Sequence, residues 1–164
     1  MSRTPAVDEL IRLTKSASGV SGPSLAKAHI ALGEMLGESL RHLDPEDTTV
    51  VAILRGGMFF AQGIYFSLGC KFQLYDPRAK SLPELGTSNV ILADSVINTG
   101  RTVLEIWEPG MLVACCVASR EAAEVFEDCL HTVRVSDNSF VGSRVAVQSG
   151  GTGPDTTLRL FNQI

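Results

Sequence analysis

The segment VILADSVINTGRT, from Val90 to Thr102, joins an apolar run to a short polar loop. The apolar run predicts a buried strand that ends at Asp94, and the loop leads into a predicted helix. There Thr99, Gly100 and Thr102 supply hydroxyl groups and an unobstructed backbone, and the unpaired N–H groups and dipole of a helix start favour a phosphate. A carboxylate at Asp94 would instead accept from sugar hydroxyls or face a magnesium ion. The segment therefore predicts a sugar-phosphate site.

Predicted strands and helices alternate on both sides of this segment. Strands are predicted at Thr48–Leu54, Lys71–Tyr75, Asn89–Ala93, Met111–Val117, His131–Val135 and Arg144–Gln148, and helices at Pro23–Leu40, Met58–Leu68, Thr102–Trp107 and Arg120–Leu130. Near-continuous apolar strands separated by helices are typical of a parallel sheet covered on both faces. The sequence therefore predicts an α/β fold, a doubly wound and mostly parallel sheet with helices on both faces and a small hood formed by the C-terminal and N-terminal segments.

A second corner, LRGG at Leu54–Gly57, follows the first predicted strand. In such folds ligands bind beyond the carboxyl ends of the strands. Arg55 would neutralise a second phosphate group, and the two glycines would let the backbone approach it closely. For either motif alone another interpretation stays open, in which Asp94 caps a helix and the glycines form an ordinary turn. Together the two motifs favour a binding site.

Length, composition and charge limit the class of protein. With 164 residues, 45% of them hydrophobic, the chain has enough apolar material for the core of one domain that spans residues 1–164. It lacks an apolar run of about eighteen residues for a membrane span, and its first residues lack the apolar core of a signal peptide, so we expect a cytoplasmic protein with no membrane partner. A net charge of −4 argues against nucleic-acid binding.

The cysteines and histidines do not have the spacing of a metal site, and we predict no metal held by side chains of this kind. The four cysteines are Cys70, Cys115, Cys116 and Cys129. We expect them to be reduced packing residues, with the adjacent pair pointing to opposite faces of one strand.

Three segments resemble those of a known family. VILADSVINTGRTV resembles the phosphoribosyl diphosphate (PRPP) signature of type I phosphoribosyltransferases, in which one or two acids and a Thr-Gly-x-Ser/Thr loop follow an apolar strand. AILRGG resembles the pyrophosphate loop of that family. RVAVQSGGTGPDTTLRLF resembles the C-terminal segment of uracil phosphoribosyltransferases, and Asp137 resembles by its spacing the acid that precedes it. The resemblance covers about residues 48–164.

The resemblance implies transfer of the phosphoribosyl group of PRPP to a nucleobase, uracil first, with release of pyrophosphate and with Mg²⁺ bound mainly through PRPP. It implies catalytic roles for Asp94 and Arg55, and a homodimer. The implied PRPP-binding residues are Arg55, Gly56, Gly57, Asp94, Ser95, Asn98, Thr99, Gly100, Arg101 and Thr102, with Arg78 and Lys80 on the loop at 76–88. The implied base-binding residues are Gln148, Ser149, Gly151, Gly153 and Asp155.

The chain also departs from the family pattern. Ser95 stands where most members have a second acid, Gly150 stands in place of a proline, and Leu158 replaces an aspartate. The loop at 76–88 is shorter than the mobile arm of uracil enzymes. Three hypotheses follow: an active transferase, a catalytically weak or inactive PRPP- or nucleotide-binding regulator of the same fold, and a degenerate member kept for assembly with a partner.

Overall fold

The computed structural model describes residues 4–137 and 155–164, and a five-stranded parallel sheet forms its centre. The strands are β1 (Thr48–Ile53), β2 (Lys71–Tyr75), β3 (Asn89–Ile97), β4 (Leu112–Ser119) and β5 (Leu130–Ser136). The helices are α1 (Pro5–Thr14), α2 (Gly22–Glu38), α3 (Met58–Leu68), α4 (Arg101–Leu104), α5 (Arg120–Val125) and α6 (Thr156–Leu160), with 3₁₀ turns at Ser16–Ser18 and Pro45–Asp47. The strand order is β2-β1-β3-β4-β5, which puts β3 in the middle.

Side chains at alternate positions of the strands pack in two separate apolar cores, one on each face of the sheet. Val50 and Ala52 of β1 pack in the core beneath α1, α2 and α3, whereas Val51 and Ile53 pack in the core on the opposite face. This confirms the predicted doubly wound α/β fold. Cys116 belongs to the first core and Cys115 to the second, as predicted for neighbours on one strand.

Several predicted boundaries were wrong. Strand β3 does not end at Asp94 but continues to Ile97, because β4 extends to Ser119 and offers pairing partners to Val96 and Ile97. Asp94 therefore lies within the strand and pairs in register with Cys115. Helices α4 and α5 are shorter than predicted, and the strand predicted at 144–148 lies outside the described residues.

A buried arginine joins the two ends of the described chain. The side chain of Arg159 in α6 is 1% exposed. It donates to the carbonyl oxygens of Thr14 at 3.1 Å, Lys15 at 3.2 Å and Val20 at 2.8 Å. Helix α6 is thereby held against the turn between α1 and α2. No helix within the described ranges is long and apolar enough to cross a membrane.

Candidate functional site

The corner after β1 lies beside the middle of β3, because the two strands are neighbours in the sheet. The N–H of Leu54 donates to the carbonyl of Tyr75 at 2.8 Å, and the N–H of Gly57 donates to the carbonyl of Ile53 at 2.8 Å. The Leu54–Arg55 peptide bond is cis. These contacts hold the corner in a tight turn at the start of α3, with the exposed side chain of Arg55 at its tip.

Gly57 lies where the corner touches β3. A Cβ atom at this position would lie 2.3 Å from the carbonyl oxygen of Ala93 and 2.7 Å from that of Ile53. Both distances are shorter than van der Waals contact, and both atoms belong to backbone that cannot rotate away. Only glycine therefore allows the corner to pack this closely against the strand that carries Asp94.

The carboxylate of Asp94 faces a cavity at this junction and is partly reached by solvent. Its Oδ1 accepts from the N–H of Ser95 at 2.7 Å. Burial raises the pKa of Asp94 to about 7, against the lowering effect of the N–H groups of Ser95 and Val96, and the charge of Asp155 raises it further. Within the described ranges, no positively charged group offsets the effect of burial on the Asp94 carboxylate. A ligand that donates hydrogen bonds to this carboxylate would therefore stabilise its charged form.

Ser95 has a different position from that of Asp94. It is 1% exposed, and its hydroxyl donates to the carbonyl oxygen of Gly56 at 2.6 Å. Ser95 is also among the residues that line the cavity at Asp94. The hydroxyl thus holds the glycine corner in place.

The loop from Asn98 to Thr102 surrounds a smaller cavity of about 160 Å³. Gly100 has a φ of 76°, in the left-handed region, and a Cβ atom there would lie 2.5 Å from Cε2 of Phe126. The first helical hydrogen bond of α4 runs from the N–H of Leu104 to the carbonyl of Gly100. The N–H groups of Thr102 and Val103 precede that ladder, and that of Arg101 makes only a long 3.4 Å contact with Oγ1 of Thr99. These are the donors a phosphate would use.

A larger cavity of about 210 Å³ joins these elements. Arg55 and Gly56 line it from the first corner, Asp94 from the sheet, and Asp155 and Thr157 from the start of α6. The two cavities share the wall residues Asp94, Val96, Asn98 and Thr102. The first corner, the middle of β3 and the loop before α4 therefore form one continuous polar site at the carboxyl edge of the sheet.

Three residues at the start of α6 line this site: the N-cap residue Asp155, which was predicted, and Thr156 and Thr157, which were not. Oδ1 of Asp155 caps the helix by accepting from the N–H of Leu158 at 3.1 Å. Thr157 places its hydroxyl against the corner, since a Cβ atom on Gly56 would lie 3.0 Å from Oγ1 of Thr157 and 3.1 Å from Oδ1 of Asp94. The sequence held no local signal for Thr157 beyond its place after Asp155.

The guanidinium group of Arg55 contacts the segment that follows α6. Nη1 donates to Oε1 of Gln163 at 3.1 Å, and Cζ lies 5.2 Å from the ring centroid of Phe161. The ring of Phe161 packs in turn against that of Phe59, with centroids 5.3 Å apart. Neither Phe161 nor Gln163 was predicted as a site residue.

The other predicted residues lie elsewhere or outside the described chain. Arg78 is exposed and paired with Asp76 at 2.6 Å, and Lys80 lines a separate cavity beside α4, so neither borders the cavity at Asp94. Asp137 forms an exposed ion pair with Arg120. Outside the described residues lie the base-binding predictions at Gln148, Ser149, Gly151 and Gly153. Their roles stay predictions.

The residues at the cavity fit a magnesium ion that arrives with a phosphorylated ligand. The carboxylates of Asp94 and Asp155 line the same cavity, and the charge of Asp155 raises the pKa of Asp94. Mg²⁺ takes oxygen ligands and commonly uses one or two carboxylates together with substrate phosphates. In the described part of the chain, no group of three or more His, Cys, Asp or Glu side chains could hold a metal ion by itself.

Solved structures show where this architecture occurs. A five-stranded parallel sheet with helices on both faces is the α/β fold of type I phosphoribosyltransferase structures. The chain is similar to the purine phosphoribosyltransferase from Pyrococcus horikoshii Ot3, with a TM-score of 0.50 and 18% identity over 66% of this chain and 83% of that one.

Two further structures share the fold. The AQ2163 protein from Aquifex aeolicus has a TM-score of 0.57 and 16% identity, over 85% of this chain and 90% of that one. The TT1426 protein from Thermus thermophilus has a TM-score of 0.50 and 18% identity, over 66% of this chain and 84% of that one. At these identities the likeness is one of fold. The sequence matches no protein-family model and no curated protein.

Proposed function

We propose that the chain is a phosphoribosyltransferase that transfers the phosphoribosyl group of PRPP to a nucleobase and releases pyrophosphate. The observation that carries this proposal is the meeting of three elements around two adjoining cavities: the arginine-glycine corner at 54–57, the carboxylate of Asp94 and the loop at 98–102. PRPP carries a pyrophosphate, two ribose hydroxyls and a 5-phosphate in that spatial order. The site offers a matching partner for each group.

Each partner suits its group chemically. The N–H groups at the start of α4 and the hydroxyls of Thr99 and Thr102, which border the smaller cavity, would be the donors for the 5-phosphate. Asp94, at the boundary of the two cavities, accepts from the ribose hydroxyls. Arg55 and the backbone of Gly56 bind the pyrophosphate, whose negative charge grows as it leaves.

Magnesium forms part of this proposal. Bound mainly through PRPP, it would meet the carboxylates of Asp94 and Asp155 from the protein side, and it would neutralise charge on the departing pyrophosphate. The chain's own contribution is to fix the ribose and the leaving group in line with the incoming base and to keep the pyrophosphate in a site of complementary charge.

Uracil is the base that we propose first, with UMP as the product in pyrimidine salvage. Support comes from the resemblance of the C-terminal segment to that of uracil phosphoribosyltransferases, and from the position of Asp155 on the wall of the larger cavity. A homodimer belongs to the same proposal and rests on the resemblance alone.

Purified protein incubated with PRPP and magnesium, with each of uracil, orotate, adenine, guanine and hypoxanthine in turn, tests the proposal. We expect uracil-dependent release of pyrophosphate together with formation of the nucleotide, and loss of both in the Asp94→Asn variant. If the protein transfers the phosphoribosyl group to a different base, the proposed reaction is correct and uracil is the wrong base. Binding of PRPP without turnover on any base would favour the regulator, and the absence of PRPP binding would overturn the proposal.

A further inference from the structure

We propose that Phe161 and Gln163 are positioning residues for Arg55: the segment after α6 holds the guanidinium group where it meets the pyrophosphate of PRPP. This inference rests on the proposed function, since it assigns a task to a contact within the same site. Its geometry is the cation–π approach of 5.2 Å between Arg55 and the ring of Phe161 and the 3.1 Å hydrogen bond to Gln163.

Arg55 needs such support because of where it lies. Its side chain is exposed, and it sits on a corner followed by two glycines. A long side chain in this setting samples many rotamers, and binding a phosphate would have to remove that freedom. A contact that already restricts the guanidinium group before the ligand arrives lowers the entropic cost of binding.

The contact leaves the guanidinium group able to bind an anion. Arginine has five N–H donors in one plane, and Gln163 accepts from only one of its nitrogens, Nη1. The ring of Phe161 interacts through its face and takes no N–H donor. Donors along the remaining edge can therefore form the two parallel hydrogen bonds that arginine makes with phosphate oxygens.

The ring of Phe161 is itself fixed from two directions. It packs against Phe59 of α3, the helix that begins at the glycine corner. It follows α6 directly, and α6 is anchored by the buried side chain of Arg159 and capped by Asp155 at the cavity. The same short helix thus brings Asp155 to one side of the cavity and supports Arg55 on another.

Binding of magnesium PRPP and of magnesium pyrophosphate, measured by titration calorimetry on four single variants and on Arg55→Ala with and without Phe161→Leu, tests the inference. Phe161→Leu keeps an apolar side chain but removes the π face, whereas Phe161→Tyr keeps the face. Gln163→Ala removes the acceptor. Phe66→Leu is the matched control, because Phe66 lies on α3 with its side chain exposed and its ring against Tyr65, away from the Arg55 contact.

We expect Phe161→Leu to weaken binding of both ligands by about 2- to 5-fold, the range of an exposed cation–π contact. Gln163→Ala should weaken it by about 2- to 5-fold, and Phe161→Tyr and Phe66→Leu should bind like the unaltered protein. In an Arg55→Ala background the Phe161→Leu change should have no further effect, because the group it positions is gone. The NMR signal of the Arg55 Nε–Hε pair should shift in Phe161→Leu without ligand.

The outcomes separate this inference from the proposed function. If the unaltered protein binds both ligands and Phe161→Leu binds them equally well, the inference is wrong and the proposed function stands. The inference is also wrong if Phe161→Leu weakens binding by the same factor with and without Arg55, since the effect would then be general loss of structure. If the unaltered protein binds neither ligand, both the inference and the proposed function are wrong. This holds even if the NMR signal of Arg55 shows its contact with Phe161.

Discussion

The hydroxyl of Ser95 donates a 2.6 Å hydrogen bond to the carbonyl oxygen of Gly56. This bond ties β3, which carries Asp94, to the corner that carries Arg55. In the family that the sequence resembles, most members have a second acid at this position. A carboxylate could not replace the serine here, because it would bring two acceptors toward the carbonyl of Gly56. The hydroxyl of Ser95 therefore links the strand that carries Asp94 to the corner that carries Arg55.

Ser95→Ala should lower the free energy of unfolding by about 1 kcal/mol, because the half-buried carbonyl of Gly56 loses its donor. Ser95→Asp should lower it further. Chemical denaturation checks both, with Ser81→Ala as the control, since Ser81 is exposed and its hydroxyl makes a long 3.5 Å contact with the carbonyl of Ala79. Equal stability of Ser95→Ala and the unaltered protein would show that the bond does not hold the corner.

Gly57→Ala should damage both folding and PRPP binding. The added Cβ would lie 2.3 Å from the carbonyl of Ala93, so the corner must move away from β3 and Arg55 must move with it. We expect a loss of about 2–4 kcal/mol in unfolding free energy, as for other severe overpacking. Thermal denaturation and PRPP titration measure the two effects.

Gly69→Ala is the control for this substitution. Gly69 has a φ of 65°, so alanine is strained there, but a Cβ atom would meet nothing in the described chain within 4 Å. It should cost about 1 kcal/mol and leave PRPP affinity unchanged. If Gly57→Ala costs no more than Gly69→Ala, the close approach of the corner to β3 is not what requires a glycine.

Much of this fold could be predicted from local patterns. Apolar runs of strand length, interrupted by helical periodicity, indicated the parallel sheet, and alternation along a strand placed Cys115 and Cys116 on opposite faces. Because parallel strands end at one edge of the sheet, the corners that carry Arg55 and Asp94 were both expected at the edge where ligands bind. Their direct contact depends on β1 and β3 being neighbours, which local patterns do not reveal.

What could not be predicted depends on contacts between distant residues. The length of β3 is set by pairing with β4, which local composition does not reveal. The contact of Arg55 with Gln163 joins residues 108 apart, and that of Arg159 with Val20 joins residues 139 apart. A local sequence pattern indicates whether a segment forms a helix or a strand. It does not indicate where α6 packs, and both of these contacts depend on that position.

The Asp94→Asn variant should be more stable than the unaltered protein at pH 8. The pKa of Asp94 is about 7 in the folded chain, against an ordinary value of 3.8, so folding favours the protonated form and stability falls as pH rises from about 4 through 7. Asparagine removes this penalty. Because solvent partly reaches the carboxylate, we expect a gain of only about 1–2 kcal/mol at pH 8.

Thermal melting of both proteins from pH 4 to pH 8 measures this difference. The melting temperature of Asp94→Asn should exceed that of the unaltered protein by about 2–8 °C at pH 8, and the difference should shrink toward zero near pH 4. A constant difference across this range would show that Asp94 does not titrate near neutral pH.

The affinity for PRPP should depend on the same ionisation. If Asp94 accepts from the ribose hydroxyls, its charged form binds better, so affinity should rise with pH through 7. Asp94→Asn should bind about 10- to 100-fold more weakly. Phosphate groups also titrate near pH 6, so the informative quantity is the ratio of the two affinities at each pH. A ratio that does not change with pH would rule out a role for the charge of Asp94.

Arg159→Met should be among the most destabilising single substitutions in the chain. The arginine is 1% exposed and supplies donors to the carbonyl oxygens of Thr14, which is buried, and Val20, which is half-buried; methionine would remove these donors. We expect a loss of about 2–4 kcal/mol. The stability of Arg159→Lys should lie between those of Arg159→Met and the unaltered protein, because one ammonium group cannot reach both carbonyls as the planar guanidinium does.

Arg12→Met is the matched control, since Arg12 makes an exposed ion pair with Glu9 and should change stability by about 0.5 kcal/mol or less. Hydrogen exchange adds a positional test: in Arg159→Lys the amides of residues 16–21 should exchange faster while those of the central strands keep their protection. Uniform loss of protection would mean that Arg159 supports the whole fold. An unchanged pattern together with unchanged stability would show that α6 is held by its apolar contacts alone.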